Sequence, residues 1–246
     1  MGFMEHLEEL RKRIIWMIAF IAGGFCVCYY WHNELRSWLE GPLNFALQHN
    51  KLPGNLVYTN PTDAFNMDLK VSLIAGIFVA SPFVLYQVWA FIAPGLYRNE
   101  RRYVGPFLFS TVGLFVAGGF FAYKMVFPAA LDFLIDYSRP FTPMVTVNEY
   151  IDLFMTIIIG LGVVFEMPIL VFFLALFGII SPGWMWRNFR YSILVIFIIA
   201  AVITPTTDIM NMCIFAAPMI VLYLGSILVA WMVHPKYRKK RALESK

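Results

Sequence analysis

Charge is what this sequence has little of. Of its 246 residues, 14% are Asp, Glu, Lys or Arg, against about 25% in an ordinary soluble domain. Cysteine is scarce as well. Cys26, Cys28 and Cys213 cannot build a disulfide framework, and two residues two apart on a helix point in different directions, so all three read as packing residues. The four histidines, His6, His32, His49 and His234, are scattered. His32 and His234 flank apolar runs on opposite sides, so no metal site and no haem site is expected. HExxH, GxSxG and a Walker A loop are all missing, and no catalytic residue or cofactor is assigned. These absences exclude a disulfide-rich secreted domain, a disordered chain and an ordinary soluble enzyme.

Apolar surface is what the chain has in excess. Hydrophobic residues make up 60%, with 24 Phe, against the usual ~45–50% apolar, and mean hydropathy is +0.70. Uncharged runs cover 14–31, 71–97, 103–123, 153–180 (broken only by Glu166), 191–207 and 209–233. A spanning helix needs roughly 17–25 apolar residues. The pattern predicts an all-α polytopic membrane protein with six transmembrane helices, at 14–31, 71–92, 103–126, 153–178, 191–203 and 211–233 of a single membrane domain 1–246. The first run is too long and too late for a cleaved signal peptide. Fourteen Lys/Arg fall at the N-terminus, the second and fourth loops and the tail, and five on the other side. The positive-inside rule then puts both termini in the cytoplasm.

Local features refine this. Pro205 should stop the fifth helix near Ile203, leaving 13 residues or about 20 Å, short of a ~30 Å hydrocarbon core. The outer segment 32–67 contains Pro42, Pro53 and Pro61, and its stretch 35–47 mixes apolar with polar residues. It reads as a structured cap lying in the interface. Trp31, Trp38, Trp89, Trp184, Trp186 and Trp231 fall near the expected interfaces, as an aromatic belt should. No internal repeat suggests a transporter built of two halves.

Glu166 is the strongest single signal. An ionised carboxylate at the bilayer centre costs about 2.5–3.5 kcal/mol on insertion scales. Asp152, Ile159 and Gly162 share its helical face, and Pro168 follows, removing a hydrogen bond to the carbonyl of Val164, so a kink is expected. Two readings stand: a protonated Glu bonded to a neighbouring helix, or a polar group lining a concave, substrate-accessible groove along the fourth helix. Glu9 and Glu100 form a second signal, each set among arginines. His6–Arg13 should be an amphipathic helix running into the first span, with Glu8–Lys12 and Glu9–Arg13 as i,i+4 pairs. Surface ion pairs of this kind contribute only ~0–1 kcal/mol, so plain salt bridging is the alternative to a binding role. Asp208, in the turn Thr204-Pro205-Thr206-Thr207-Asp208, suits a helix cap.

Several stretches together resemble the TatC family of the twin-arginine protein translocase. They are His6-Leu7-Glu8-Glu9-Leu10-Arg11-Lys12-Arg13; Gly41-Pro42-Leu43; Tyr86 to Tyr97 with Glu100-Arg101-Arg102; Gly162 to Pro168; and Thr204-Pro205 with Asp208. The turn before Asp208 departs from the family's commoner Thr-Pro-Pro-Asp, and Asn211-Met212 stands where some members carry glutamine. The resemblance implies a receptor rather than an enzyme: a protein that recognises twin-arginine signal peptides on folded cargo and exports it using the proton-motive force. It implies TatB-type and TatA-type single-span partners, self-association in the complex and contact with membrane lipid, with no nucleic acid. On matched motifs, Glu9 and Glu100 would engage the signal peptide, supported by Phe91, Arg11 and Arg13. Pro42 would be the structural proline of the outer cap, Glu166 the intramembrane acid and Asp208 an outer-loop functional residue. A bacterial or archaeal cytoplasmic membrane is the expected location, since no transit extension precedes the first helix. The rival classes are a proton-coupled solute transporter working through Glu166, disfavoured by the missing repeat, and a membrane enzyme, disfavoured by the missing catalytic set.

Overall fold

The computed structural model describes residues 3–49, 56–92, 104–137, 144–204 and 209–233. Helices account for almost all of them: α1 Phe3–Tyr30, α2 His32–His49, α3 Asp63–Ile92, α4 Val104–Phe121, α5 Phe127–Tyr137, α6 Val147–Val164, α7 Met167–Leu176, α8 Pro182–Arg187, α9 Phe189–Ile203 and α10 Ile209–Val233. A π-helical turn, Ala122–Val126, joins α4 to α5 without a break. The β-structure among the described residues is one isolated bridge, Val57 to Thr146. Five helical stretches are long and apolar enough to cross a membrane: Met4–Tyr30, Asp63–Phe91, Phe107–Tyr137, Val147–Leu176 and Met212–Val233. α9 has 15 residues, or about 22 Å at 1.5 Å per residue. The chain divides into two compact units, Met1–Val116 with Leu134–Met155, and Ala117–Phe133 with Thr156–Lys246.

In the first unit α1 packs against α3 through two glycines. A Cβ on Gly24 would lie 2.6 Å from the Gly76 carbonyl oxygen, and one on Gly76 would lie 2.6 Å from the Phe25 nitrogen. The backbones touch, which only glycine permits at such a crossing. α3 starts at Asp63, well before the uncharged run at Val71. Its early charges are neutralised across helices: Arg36 of α2 donates to both oxygens of Asp68, and Lys70 pairs with Asp152 of α6. The Asp68 hydrogen bond also raises the Arg36 pKa above its ordinary value. Asp63 accepts from the backbone N–H groups of Thr59 and Asn60, the Thr59 hydroxyl and the Asn148 amide, so the free N–H groups ahead of α3 have an acceptor. Pro82 leaves the Phe78 carbonyl without its helix donor, and the Ser81 hydroxyl donates to that same carbonyl at 2.7 Å. α3 therefore runs on as one helix.

α2 buries Leu39, Pro42, Leu43, Ala46 and Leu47. Tyr150 fixes it, its hydroxyl donating to the Leu39 carbonyl at 2.6 Å. One tryptophan departs from the belt. Trp89 is 4% exposed and donates its indole N–H to Thr111 Oγ1 at 3.2 Å, because this face of α3 packs on α4 rather than meeting an interface.

In the second unit α10 packs on α7, α8 and α9. Tyr223 ties them together: its hydroxyl accepts from Ser192 at 2.8 Å and donates to the Met185 carbonyl at 3.0 Å. The fourth apolar run is interrupted where a kink is expected: α6 stops at Val164 and α7 starts at Met167. α9 ends at Ile203, two residues before Pro205.

Candidate functional site

Three groups of sequence-chosen residues fall within the described chain. The first lies near the start of α1. Glu9 and Arg13 are one turn apart, and Arg13 Nη2 donates to Glu9 Oε1 at 3.2 Å. The other arm, Nη1, donates to Gln87 Oε1 of α3 at 2.9 Å. Gln87 is buried at 7% exposure, so it fixes the guanidinium from below. Because one arm is held by Gln87, Arg13 reaches Glu9 through a single hydrogen bond. Glu9 Oε2 is buried and has no hydrogen-bond partner among the described residues. An unpaired buried acceptor costs about 1–3 kcal/mol.

An open recess of about 450 Å³ surrounds this pair, lined by Glu5, Glu8, Glu9, Lys12, Arg13, Trp16 and Gln87. The three glutamates lie on adjacent turns of one helix face, as residues three and four apart must. The expected Glu9–Arg13 pair forms, and Glu8 and Lys12 line the same recess. Phe91 is half-buried and stacks on the His6 ring at 4.4 Å with 19° between planes, joining the first turns of α1 to the end of α3. Arg11 is exposed. Gln87, His6, Glu5 and Glu8 were not chosen from the sequence. Gln87 carried a usable signal, being an amide inside an otherwise apolar run.

Glu166 forms the second group. It occupies the turn between α6 and α7, where its carbonyl accepts from the N–H groups of Ile169 and Leu170 at 3.1 and 3.0 Å. Pro168 falls within the first two positions of α7, where its missing N–H costs nothing. The Glu166 side chain is half-buried, and its Oε1 is buried with no hydrogen-bond partner among the described residues. Phe165, beside it, packs onto Gly118, where a Cβ would come within 2.7 Å of the ring, and its ring lies 5.6 Å from that of Phe121. Glycine at 118 thus admits the ring that seats the turn.

Pro42 is the third, buried inside α2. Glu100, Asp208 and the loops that carry them lie outside the described residues. No cluster of His, Cys, Asp or Glu suited to a metal occurs among the described residues.

Among the described residues, an almost wholly helical fold with five apolar stretches of spanning length defines a multi-pass, polytopic α-helical membrane protein. The family model for TatC, the Sec-independent protein translocase protein, matches residues 5–218. A TatC protein of Koribacter versatilis is 68% identical over 241 residues, covering 98% of this chain and 89% of that protein. One from Carboxydothermus hydrogenoformans is 39% identical, covering 96% and 95%. A crystal structure of the twin-arginine translocase receptor TatC superposes with a TM-score of 0.82 at 33% identity, covering 93% of this chain and 99% of the other. The chain belongs to the TatC family. It is a component of the twin-arginine protein translocase, working with other Tat components in protein transport, and not an enzyme.

Proposed function

We propose that the recess at the start of α1 is where this chain receives the paired arginines of a signal peptide, with Glu9 as one acceptor and Glu100 as the other. The observation that carries the reading is the state of the Glu9 carboxylate. One oxygen is held by Arg13, whose second arm is engaged by Gln87, and the other is buried without a donor among the described residues. A guanidinium brings a planar fork of N–H donors. It can satisfy the open oxygen while Arg13 keeps its own bond, so the ligand adds a bond without breaking one. A lysine offers a more strongly hydrated point charge and gains less at such a site. Arg13 positions the carboxylate. Arg11 and Lys12 keep the rim positive and disfavour peptides that are merely basic. Phe91, stacked under His6, gives the residues flanking the arginines an apolar and aromatic surface.

In this reading both termini are cytoplasmic and the membrane is the bacterial or archaeal cytoplasmic membrane. Cargo stays folded and its passage is driven by the proton-motive force. The short α9 thins the bilayer beside it and is the edge where a TatB-type or TatA-type single helix docks. Glu166 faces a groove open to water and acts after peptide capture, donating or accepting a hydrogen bond to a polar intramembrane group. Pro42 stiffens the outer cap, and Asp208 caps the last helix from the outer turn. Copies of the chain associate in the active complex.

The test is calorimetric titration of the purified chain with a twin-arginine peptide and with its Lys-Lys counterpart. Glu9→Ala and Glu100→Ala should each weaken the first and leave the second weak. Unchanged affinity in both variants refutes the assignment.

A further inference from the structure

A second recess in the first unit is chemically unlike the acidic one. It has a volume of about 470 Å³ and is lined by Ile18, Ile21, Ala22 and Phe25 of α1 and by Leu69, Lys70 and Leu73 of α3. That volume lies within the ~300–1,000 Å³ range of small-molecule sites. Apart from Lys70 every lining residue is apolar. The α1 side, from Ile18 to Phe25, extends for about 10 Å, seven steps of 1.5 Å each.

The position of Lys70 gives the groove a direction. Lys70 is the last charged residue before the uncharged run 71–97, and Asp152 is the last before the run that starts at Leu153. Each marks the boundary of an apolar span on its own helix, and the two meet in an ion pair. The pair therefore sits where lipid headgroups lie, and the groove leads from it into the hydrocarbon region.

We propose that this groove holds one phospholipid with a primary-ammonium, zwitterionic headgroup, such as phosphatidylethanolamine. Its acyl chain lies along Ile18, Ile21, Ala22 and Phe25, its phosphate meets Lys70 and its ammonium meets Asp152. Charge complementarity selects this occupant. The mouth offers one cation and one anion, and the headgroup offers one anion and one cation. Lys70 has three N–H donors, so bonding to Asp152 leaves capacity for a phosphate. The Asp152 side chain is 60% exposed, and a carboxylate can accept several donors at once. A net-anionic headgroup such as phosphatidylglycerol brings no cation of its own to set against Asp152. A choline headgroup has no N–H to donate. This site is independent of the arginine-binding reading.

The test is native mass spectrometry of the full-length chain in detergent, equilibrated with equimolar phosphatidylethanolamine, phosphatidylcholine and phosphatidylglycerol. Phosphatidylethanolamine should be retained about threefold over phosphatidylcholine, the size expected of a partly exposed charge contact. Asp152→Asn should erase that preference, and Lys70→Gln should lower retention of all three lipids. Ala22→Phe, which fills the groove and leaves both charges in place, should remove one bound lipid. Equal retention of the ethanolamine and choline lipids by the parent chain overturns the proposal without reference to any variant, and so does a preference for phosphatidylglycerol. An unchanged lipid count in a folded Ala22→Phe chain overturns the location. Capture of a partner's single helix by this face in place of lipid, read by crosslinking from position 22, also overturns it.

Discussion

Two carboxylates, Glu9 near the start of α1 and Glu166 in the turn between α6 and α7, each keep one buried oxygen without a hydrogen-bond partner among the described residues. Their surroundings separate them. Glu9 is held by an arginine that a buried glutamine clamps in turn, and it opens on a recess carrying two further glutamates and a lysine. Glu166 has a backbone defect and apolar neighbours: a proline just inside α7 and the Phe165 ring seated on Gly118. Glu9 is a preorganised acceptor, its geometry set before any ligand arrives. Glu166 is a polar group inserted where the helix is already broken. On the proposed reading, the same unpaired oxygen serves capture at Glu9 and a later, transient contact at Glu166.

The comparison can be broken by exchanging the two phenotypes. The largest effect is expected at Glu9. Glu9→Ala should weaken twin-arginine peptide binding about tenfold to a hundredfold, since a hydrogen bond to a charged group contributes ~1.5–3 kcal/mol. Titration checks this, and a loss smaller than about twofold, within the range of an exposed ion pair, would place Glu9 outside the site. Glu166→Ala should leave that affinity unchanged while transport into membrane vesicles falls several-fold. Glu166→Gln, which keeps shape and hydrogen-bonding capacity, should retain most transport. Loss of peptide affinity in Glu166→Ala would erase the division of labour.

Gln87→Leu is a subtler probe. It frees the second arm of Arg13 to close on both oxygens of Glu9, making a bidentate pair that competes with the ligand. Affinity should drop about fivefold, equivalent to ~1 kcal/mol for one hydrogen bond, although no group that touches the peptide has been removed. Unchanged or tighter binding would mean that Gln87 does not hold the acceptor open. The smallest effect is expected at Arg11, which is exposed. Arg11→Gln should change affinity by no more than about twofold, in keeping with a screened surface charge, and a larger loss would give Arg11 a direct role.

What the sequence made legible follows from which forces act locally. Uncharged runs of spanning length announce themselves, so the all-helical, polytopic class and the short α9 could be read directly. The i,i+4 pair Glu9–Arg13 was equally local. Long-range ion pairs were not local. Arg36–Asp68 and Lys70–Asp152 neutralise charges on α3 and α6 just before the uncharged runs and join residues far apart in the chain, and neither partner points to the other in sequence. Prolines divided the same way. Pro168 sits at a break, as a kink reading would have it, but Pro82 does not, because the neighbouring Ser81 hydroxyl takes up the Phe78 carbonyl. Gln87 was missed as the clamp because its partner lies 74 positions away. Trp89 was placed in the aromatic belt because only packing distinguishes a buried indole from an interfacial one.

The central claim is that the open Glu9 oxygen reads a guanidinium. It is tested most directly by the ratio of twin-arginine to Lys-Lys peptide affinity in the parent chain and in Glu9→Gln, where an amide of the same shape replaces the carboxylate. The account predicts a ratio of about ten or more in the parent, from one charge-assisted bond, collapsing toward unity in the variant. A ratio that is the same in both chains would contradict it.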